Sequence, residues 1–149
     1  MPTSAEGRKA IMEDEGVRYE AYLDIAGVPT IGVGHTRKVY MGQKASEAEV
    51  DYWLQEDLKE AENAVAAYVH VPVNQNMYDA LVSLVFNIGA GQFRTSTLLR
   101  KLNEGLYKDA SEQFLVWNKI TNPKTGKLEE SKGLSNRRAR EKKLFLKPV

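Results

Sequence analysis

Residues 15–36 read Glu15-Gly16-Val17-Arg18-Tyr19-Glu20-Ala21-Tyr22-Leu23-Asp24-Ile25-Ala26-Gly27-Val28-Pro29-Thr30-Ile31-Gly32-Val33-Gly34-His35-Thr36. Within this stretch a helix gives way to a tightly turned sheet. Ahead of it, Thr3 and Glu6 have the spacing of a capping box, and Ala5, Ile11 and Met12 form part of an apolar face. They predict a short helix that runs to about Glu15 and stops at Gly16. Behind it, Ala26-Gly27 is turn-prone and Pro29 to Gly34 suits a returning strand, so an antiparallel hairpin is expected.

Working outward, Ser46 and Glu49 form a second capping box. Val50, Trp53, Leu54, Leu58, Ala61, Val65 and Tyr68 then recur at three-to-four spacing, which predicts one long helix over about 47–69. Pro72 ends that segment and Asn74 caps the next, where Ala80 to Ile88 is apolar nearly all round, as in a central buried helix. Gly89-Ala90-Gly91 interrupts the chain, Thr95 or Ser96 restarts it, and Gly105 closes a short helix. Ala110, Phe114 and Trp117 mark another helix, 121–126 reads as a loop, and Ser135 is expected to cap a basic last helix to about Leu146. The sum is an α+β fold with a small antiparallel sheet in front and helices behind, joined by the long helix. The 149 residues fit a single domain, in parts of about 1–46, 47–70 and 71–149.

Composition narrows the chemistry. At 42% apolar and 28% charged residues, the chain can bury a core. It has no cysteine and only His35 and His70, so a thiol nucleophile is absent and the donors of a zinc site are scarce. No apolar run approaches bilayer length, so stable membrane insertion is not expected. The net charge of +1 is unevenly placed: residues 132–149 carry a net +6 and residues 1–131 a net −5. With no groove-reading motif and that acidic remainder, a nucleic-acid partner is not expected either.

What remains is carboxylates. Glycosidic cleavage needs only two, one to protonate the leaving oxygen and one to activate water. Glu15 lies at a predicted helix C-terminus behind Glu13 and Asp14, a setting that disfavours its ionised form. The hairpin brings Asp24 and the Thr30 hydroxyl together, facing that helix end. On spacing alone the other reading stands beside this one: 13–15 as a solvated charge run, Asp24 as a turn former, Thr30 as a strand residue.

The motif Glu15-Gly16-x5-Tyr22-x-Asp24-x2-Gly27-x2-Thr30-Ile31-Gly32-x-Gly34-His35-Thr36 resembles the active-site signature of phage-type lysozymes, glycoside hydrolase family 24, the endolysins of tailed bacteriophages. Two further stretches are similar to that family in the same order. One is Val73-x-Gln75-x2-Tyr78-x-Ala80-Leu81 with Phe86-Asn87-Ile88-Gly89-x-Gly91-x-Phe93. The other is Gly133-Leu134-x2-Arg137-Arg138-x2-Glu141-x2-Leu144-Phe145. The resemblance implies a two-lobed lysozyme-like fold and hydrolysis of the β-1,4 bond from N-acetylmuramic acid to N-acetylglucosamine in peptidoglycan. Glu15 would be the general acid, with Asp24 and Thr30 placing the attacking water, and the products would be inverted. It implies no cofactor and no metal, and a guanidinium at Arg137 reaching back to Glu15. Ala26 departs from relatives that carry a carboxylate at that turn.

Asn87 and Trp117 are candidate sugar-binding residues, an amide and a flat ring, although Trp117 suits a core equally well. His35 reads as a structural support more readily than a cleft residue. A silent murein-binding or chitin-binding module would have no need of a proton donor at position 15. A monomer is expected, and the resemblance implies that it accumulates in the host cytoplasm and reaches the periplasm and cell wall once a holin opens the way.

Overall fold

Ser4 begins the first helix of the computed structural model, which describes residues 1–149. Its hydroxyl accepts from the Gly7 N–H at 3.0 Å and caps α1 (Ala5–Glu15). The cap is therefore one residue later than the Thr3–Glu6 spacing predicts. Thr3 is buried instead, and its carbonyl accepts from the Arg8 guanidinium at 3.2 Å. Gly16 closes α1 at φ 82°, with its N–H on the Met12 carbonyl.

The chain divides into two compact units, Thr3–Lys59 and Met1–Pro2 with Glu60–Val149. In the first, β1 (Arg18–Leu23) pairs antiparallel with β2 (Pro29–Gly32), with Tyr22 opposite Thr30 and Leu23 opposite Pro29. Gly32 and Gly34, both at φ 67°, turn the chain so that Ile31 and His35 exchange two backbone hydrogen bonds of 2.9 Å. A side chain at either position would meet this left-handed backbone with strain. Gly32 sits over Val50 and Trp53 of α2 (Glu47–Asp57), and His35 stacks flat on Trp53 at 4.9 Å. The His35 Nδ1 atom is 2.8 Å from the Asp57 carboxylate, so the buried imidazole ties the end of the sheet to α2. Arg8 of α1 donates to Asp51 of α2 at 2.9 Å and holds that carboxyl below the usual carboxylate range.

The single helix expected over 47–69 is two: α2 and α3 (Lys59–Tyr68), separated at Leu58. No glycine or proline marks the break. The chain tightens for one residue at Leu58, whose side chain is fully buried.

The second unit is built around α4 (Gln75–Ile88), capped by Asn74, with Tyr78 through Val85 all buried. Burial pushes the Tyr78 phenol up to about 12, with Glu62 and Asp79 adding to the shift. Then come α5 (Ala90–Arg94), α6 (Thr97–Asn103) under a Ser96 cap, and α7 (Tyr107–Gln113), which runs into a short 3₁₀ turn at Phe114–Val116. The stretch expected to be a loop at 121–126 is the turn of a second hairpin, β3 (Lys119–Thr121) with β4 (Leu128–Glu130). Asn122 closes that turn by accepting from the Lys124 N–H at 2.8 Å. The last helix, α8 (Lys132–Leu146), starts earlier than expected, under Ser131; Ser135 instead accepts from the Asn118 amide at 3.0 Å.

α8 packs along α4 through a buried polar cluster. Glu141, 3% exposed, accepts from the Ser83 hydroxyl, from Arg137 Nε at 3.2 Å and from Arg138 Nη2 at 3.1 Å. Arg137 also reaches the Ser83 carbonyl at 3.4 Å. Burial pushes the Glu141 carboxyl up, while Arg138, Ser83 and Arg137 pull it down. Removing the carboxylate takes a shared counter-charge from two buried guanidiniums. Glu141→Gln is therefore expected to lower the unfolding free energy by about 3–5 kcal/mol, and Ser83→Ala by about 1–3 kcal/mol. Urea unfolding checks both, and an unchanged midpoint in Glu141→Gln would deny the cluster its structural role.

Candidate active site

Glu15, Asp24 and Thr30 lie on successive elements of the unit Thr3–Lys59: the last residue of α1, the end of β1, and β2. Glu15 is exposed and Asp24 half-buried, while Thr30 is 3% exposed. Local sequence explains the placement of the latter two. Asp24 Oδ1 accepts from the N–H groups of Ala26 and Val28, each at 2.8 Å, and the Asp24 N–H returns a bond of 3.0 Å to the Val28 carbonyl. Gly27 supplies the positive φ of 78° that lets the turn close. The Thr30 hydroxyl then donates to the same Val28 carbonyl at 2.8 Å.

The main-chain N–H and carbonyl of one residue, Val28, thus orient both side chains. Asp24 Oδ2 keeps its lone pairs free of protein donors, and Thr30 Oγ1, having given its hydrogen to Val28, is left as an acceptor. A carboxylate oxygen and a hydroxyl oxygen, both acceptors, are what is needed to hold a water by its two hydrogens. The sequence reading named Asp24 and Thr30 as candidates but not Val28, whose part is played by main-chain atoms alone.

His35 has its partners in Asp57 and Trp53 and serves the frame of this unit. Arg137 is held by Glu141 and Ser83 in the second turn of α8, not at the helix start where the sequence reading put it. Asn87 and Trp117 come together in the other unit, lining a cleft of about 430 Å³ with Ile88, Gln92, Val116 and Leu134. Residues of the second hairpin, Lys119, Thr121 and Leu128, complete its wall and were missed in the sequence. The signal was present in Lys119-Ile120-Thr121 and Lys127-Leu128-Glu129 on either side of an Asn-Pro-x-x-Gly turn. Trp117 Nε1 is buried there without a partner. No group of three or more His, Asp or Glu side chains gathers into a possible metal site.

The family model described as "Phage lysozyme" matches residues 12–141. The endolysin of Salmonella phage P22 is 44% identical, over 98% of this chain and 99% of its own. Among solved structures, the muramidase domain of SpmX from Asticaccaulis excentricus is similar at a TM-score of 0.91 and 37% identity, covering 98% of both chains. The endolysin from Escherichia coli O157:H7 phage FAHEc1 is similar at 0.90 and 38%, covering 100% of this chain and 96% of that one.

Because Oδ1 of Asp24 is spent on the loop, two substitutions there are expected to separate. Asp24→Asn keeps an acceptor for the Ala26 and Val28 amides, whereas Asp24→Ala strips it. Hydrogen exchange at those two amides should quicken by about tenfold or more in Asp24→Ala and change little in Asp24→Asn. Equal exchange in both variants would show that the carboxylate does not hold the turn.

Proposed function

The chain belongs to the phage lysozyme family of glycoside hydrolases, and on that premise we propose that it is an inverting muramidase. Its substrate is the β-1,4 bond between N-acetylmuramic acid and N-acetylglucosamine in peptidoglycan. The Glu15 carboxyl group gives its proton to the glycosidic oxygen as the bond from C1 to that oxygen breaks. A water held by Asp24 Oδ2 and Thr30 Oγ1 attacks C1 from the opposite side of the ring and passes a proton to Asp24. The sugar leaves with its anomeric configuration inverted.

The observation that carries this reading is the shared anchoring of Asp24 and Thr30 on Val28, which leaves two acceptor oxygens fixed and unspent. A hydroxyl oxygen fixed beside the free carboxylate oxygen gives a water two acceptors, as attack by water in a single displacement requires.

The remaining assignments follow the same reading. Asn87 and Trp117 contact the glycan on their own unit, and His35 and Arg137 act from behind, fixing the sheet end and α8. The whole chain works as one monomeric lysozyme domain without cofactor or metal. In the biology this implies, it accumulates in the host cytoplasm, a holin gives it passage to the periplasm and cell wall, and cleavage of the wall lyses the cell. No helix is long and apolar enough to cross a membrane.

Glu15→Gln is expected to keep the native circular-dichroism spectrum and lose about 10²–10⁴-fold in the rate of murein cleavage. Proton NMR of fresh wild-type digests should show the α-anomer first. Clearing retained by folded Glu15→Gln would remove Glu15 as the acid, and a β-anomer appearing first would remove the inverting step.

A further inference from the structure

Arg18 opens β1, and its guanidinium carbon lies 4.4 Å from the centroid of the Tyr22 ring. A cation resting on an aromatic face at an exposed site is biased toward that position while its edge N–H donors stay open. For Arg18 those donors have no taker. Arg8 is engaged by Asp51, and Arg137 and Arg138 by Glu141, but no carboxylate stands within ion-pair distance of Arg18.

The Tyr22 ring sets the position of the guanidinium. Tyr22 is directly opposite Thr30, so the two side chains project from one face of the sheet, and Asp24 follows two residues later. The cation on the Tyr22 ring therefore extends the face that holds the water-positioning pair. Beside it, Val17, Arg18, Tyr19, Glu20 and Lys44 line an open depression of about 670 Å³, in which two cations outnumber one carboxylate. An anion is the ligand this charge balance selects.

Peptidoglycan presents such an anion next to the scissile bond. Each muramoyl unit carries a peptide on its lactyl ether, and the peptide carries free carboxylates. A planar guanidinium with open donors matches a carboxylate in a two-pronged contact that an ammonium cannot reproduce. We propose that Arg18, held over Tyr22, determines substrate specificity by taking a stem-peptide carboxylate of the glycan strand beside Asp24 and Thr30.

The proposal rests on the muramidase reading, and binding to uncleaved strands tests it apart from that reading. The probes are soluble peptide-bearing glycan strands and the same strands stripped of peptide by an amidase, titrated calorimetrically against Glu15→Gln protein. Glu15→Gln is expected to prefer the peptide-bearing strands by about tenfold. Adding Arg18→Gln should abolish the preference, and adding Arg18→Lys should restore only part of it. Adding Tyr22→Leu, which frees the guanidinium, should weaken the preference in the same direction. Circular dichroism confirms that each variant is folded. A preference that survives Arg18→Gln, or an equal loss of affinity for both strand types, overturns the proposal. Failure of the wild-type protein to cut either strand would instead overturn the muramidase reading, while the binding preference would still decide Arg18.

Discussion

The main-chain groups of Val28 are the fixed point of the candidate active site. Its N–H holds Asp24 and its carbonyl holds both the Asp24 N–H and the Thr30 hydroxyl. A carboxylate on one strand and a hydroxyl on the next would otherwise sample several rotamers each. Tied to the main chain of one residue, they are held together, and the entropy of arranging them is met during folding and not during reaction. The bonds also account for the composition of the turn. Asp24 supplies an acceptor short enough to reach its own loop, Gly27 takes the left-handed conformation, and Pro29 starts the return strand at the sheet end, where no ladder N–H is lost.

Two further ties keep this hairpin in register within its unit. The stack of His35 on Trp53, with Asp57 behind it, fixes the turn that follows β2, and Arg8 to Asp51 fixes α1, which ends in Glu15. Both join sheet or helix to α2, so α2 is the common support of all three candidate residues. The second unit uses another solution. Its most buried helix, α4, is apolar except for a few groups such as Ser83, and the polar atoms of α8 converge on that serine through Glu141. A buried carboxylate between two arginines gains little net stability. It does define one lateral position of α8 on α4, because any slip leaves a charge without its partner.

Most of the fold was legible in the sequence because its signals are local. Caps at Ser46, Asn74 and Ser96, stops at Gly16 and Gly89, and the turn at Ala26-Gly27 each involve residues within a few positions of one another. Where competing local signals lie side by side, the choice is made by tertiary contacts. Thr3 loses the α1 cap to Ser4 because its own side chain is buried, and Ser135 loses the α8 cap to Ser131 because it serves Asn118. The break at Leu58 has no residue signature at all. At the candidate site, Asp24 and Thr30 were legible as side chains. Val28 was not, since a backbone carbonyl has no letter of its own. Neither the Arg137–Glu141 helical pair nor Ser83, 58 positions from Glu141, was read from the sequence.

The second hairpin has a different standing from the first. Every residue of β3 and β4 is exposed, and the pair rests on three facing positions and a turn closed by Asn122. A ribbon that buries so little contributes little to the core it stands beside. It can therefore be lengthened, shortened or recoded while the helices beneath stay as they are. Since it also walls the cleft that holds Trp117, the fold concentrates its freedom to diversify on a surface that meets the outside world.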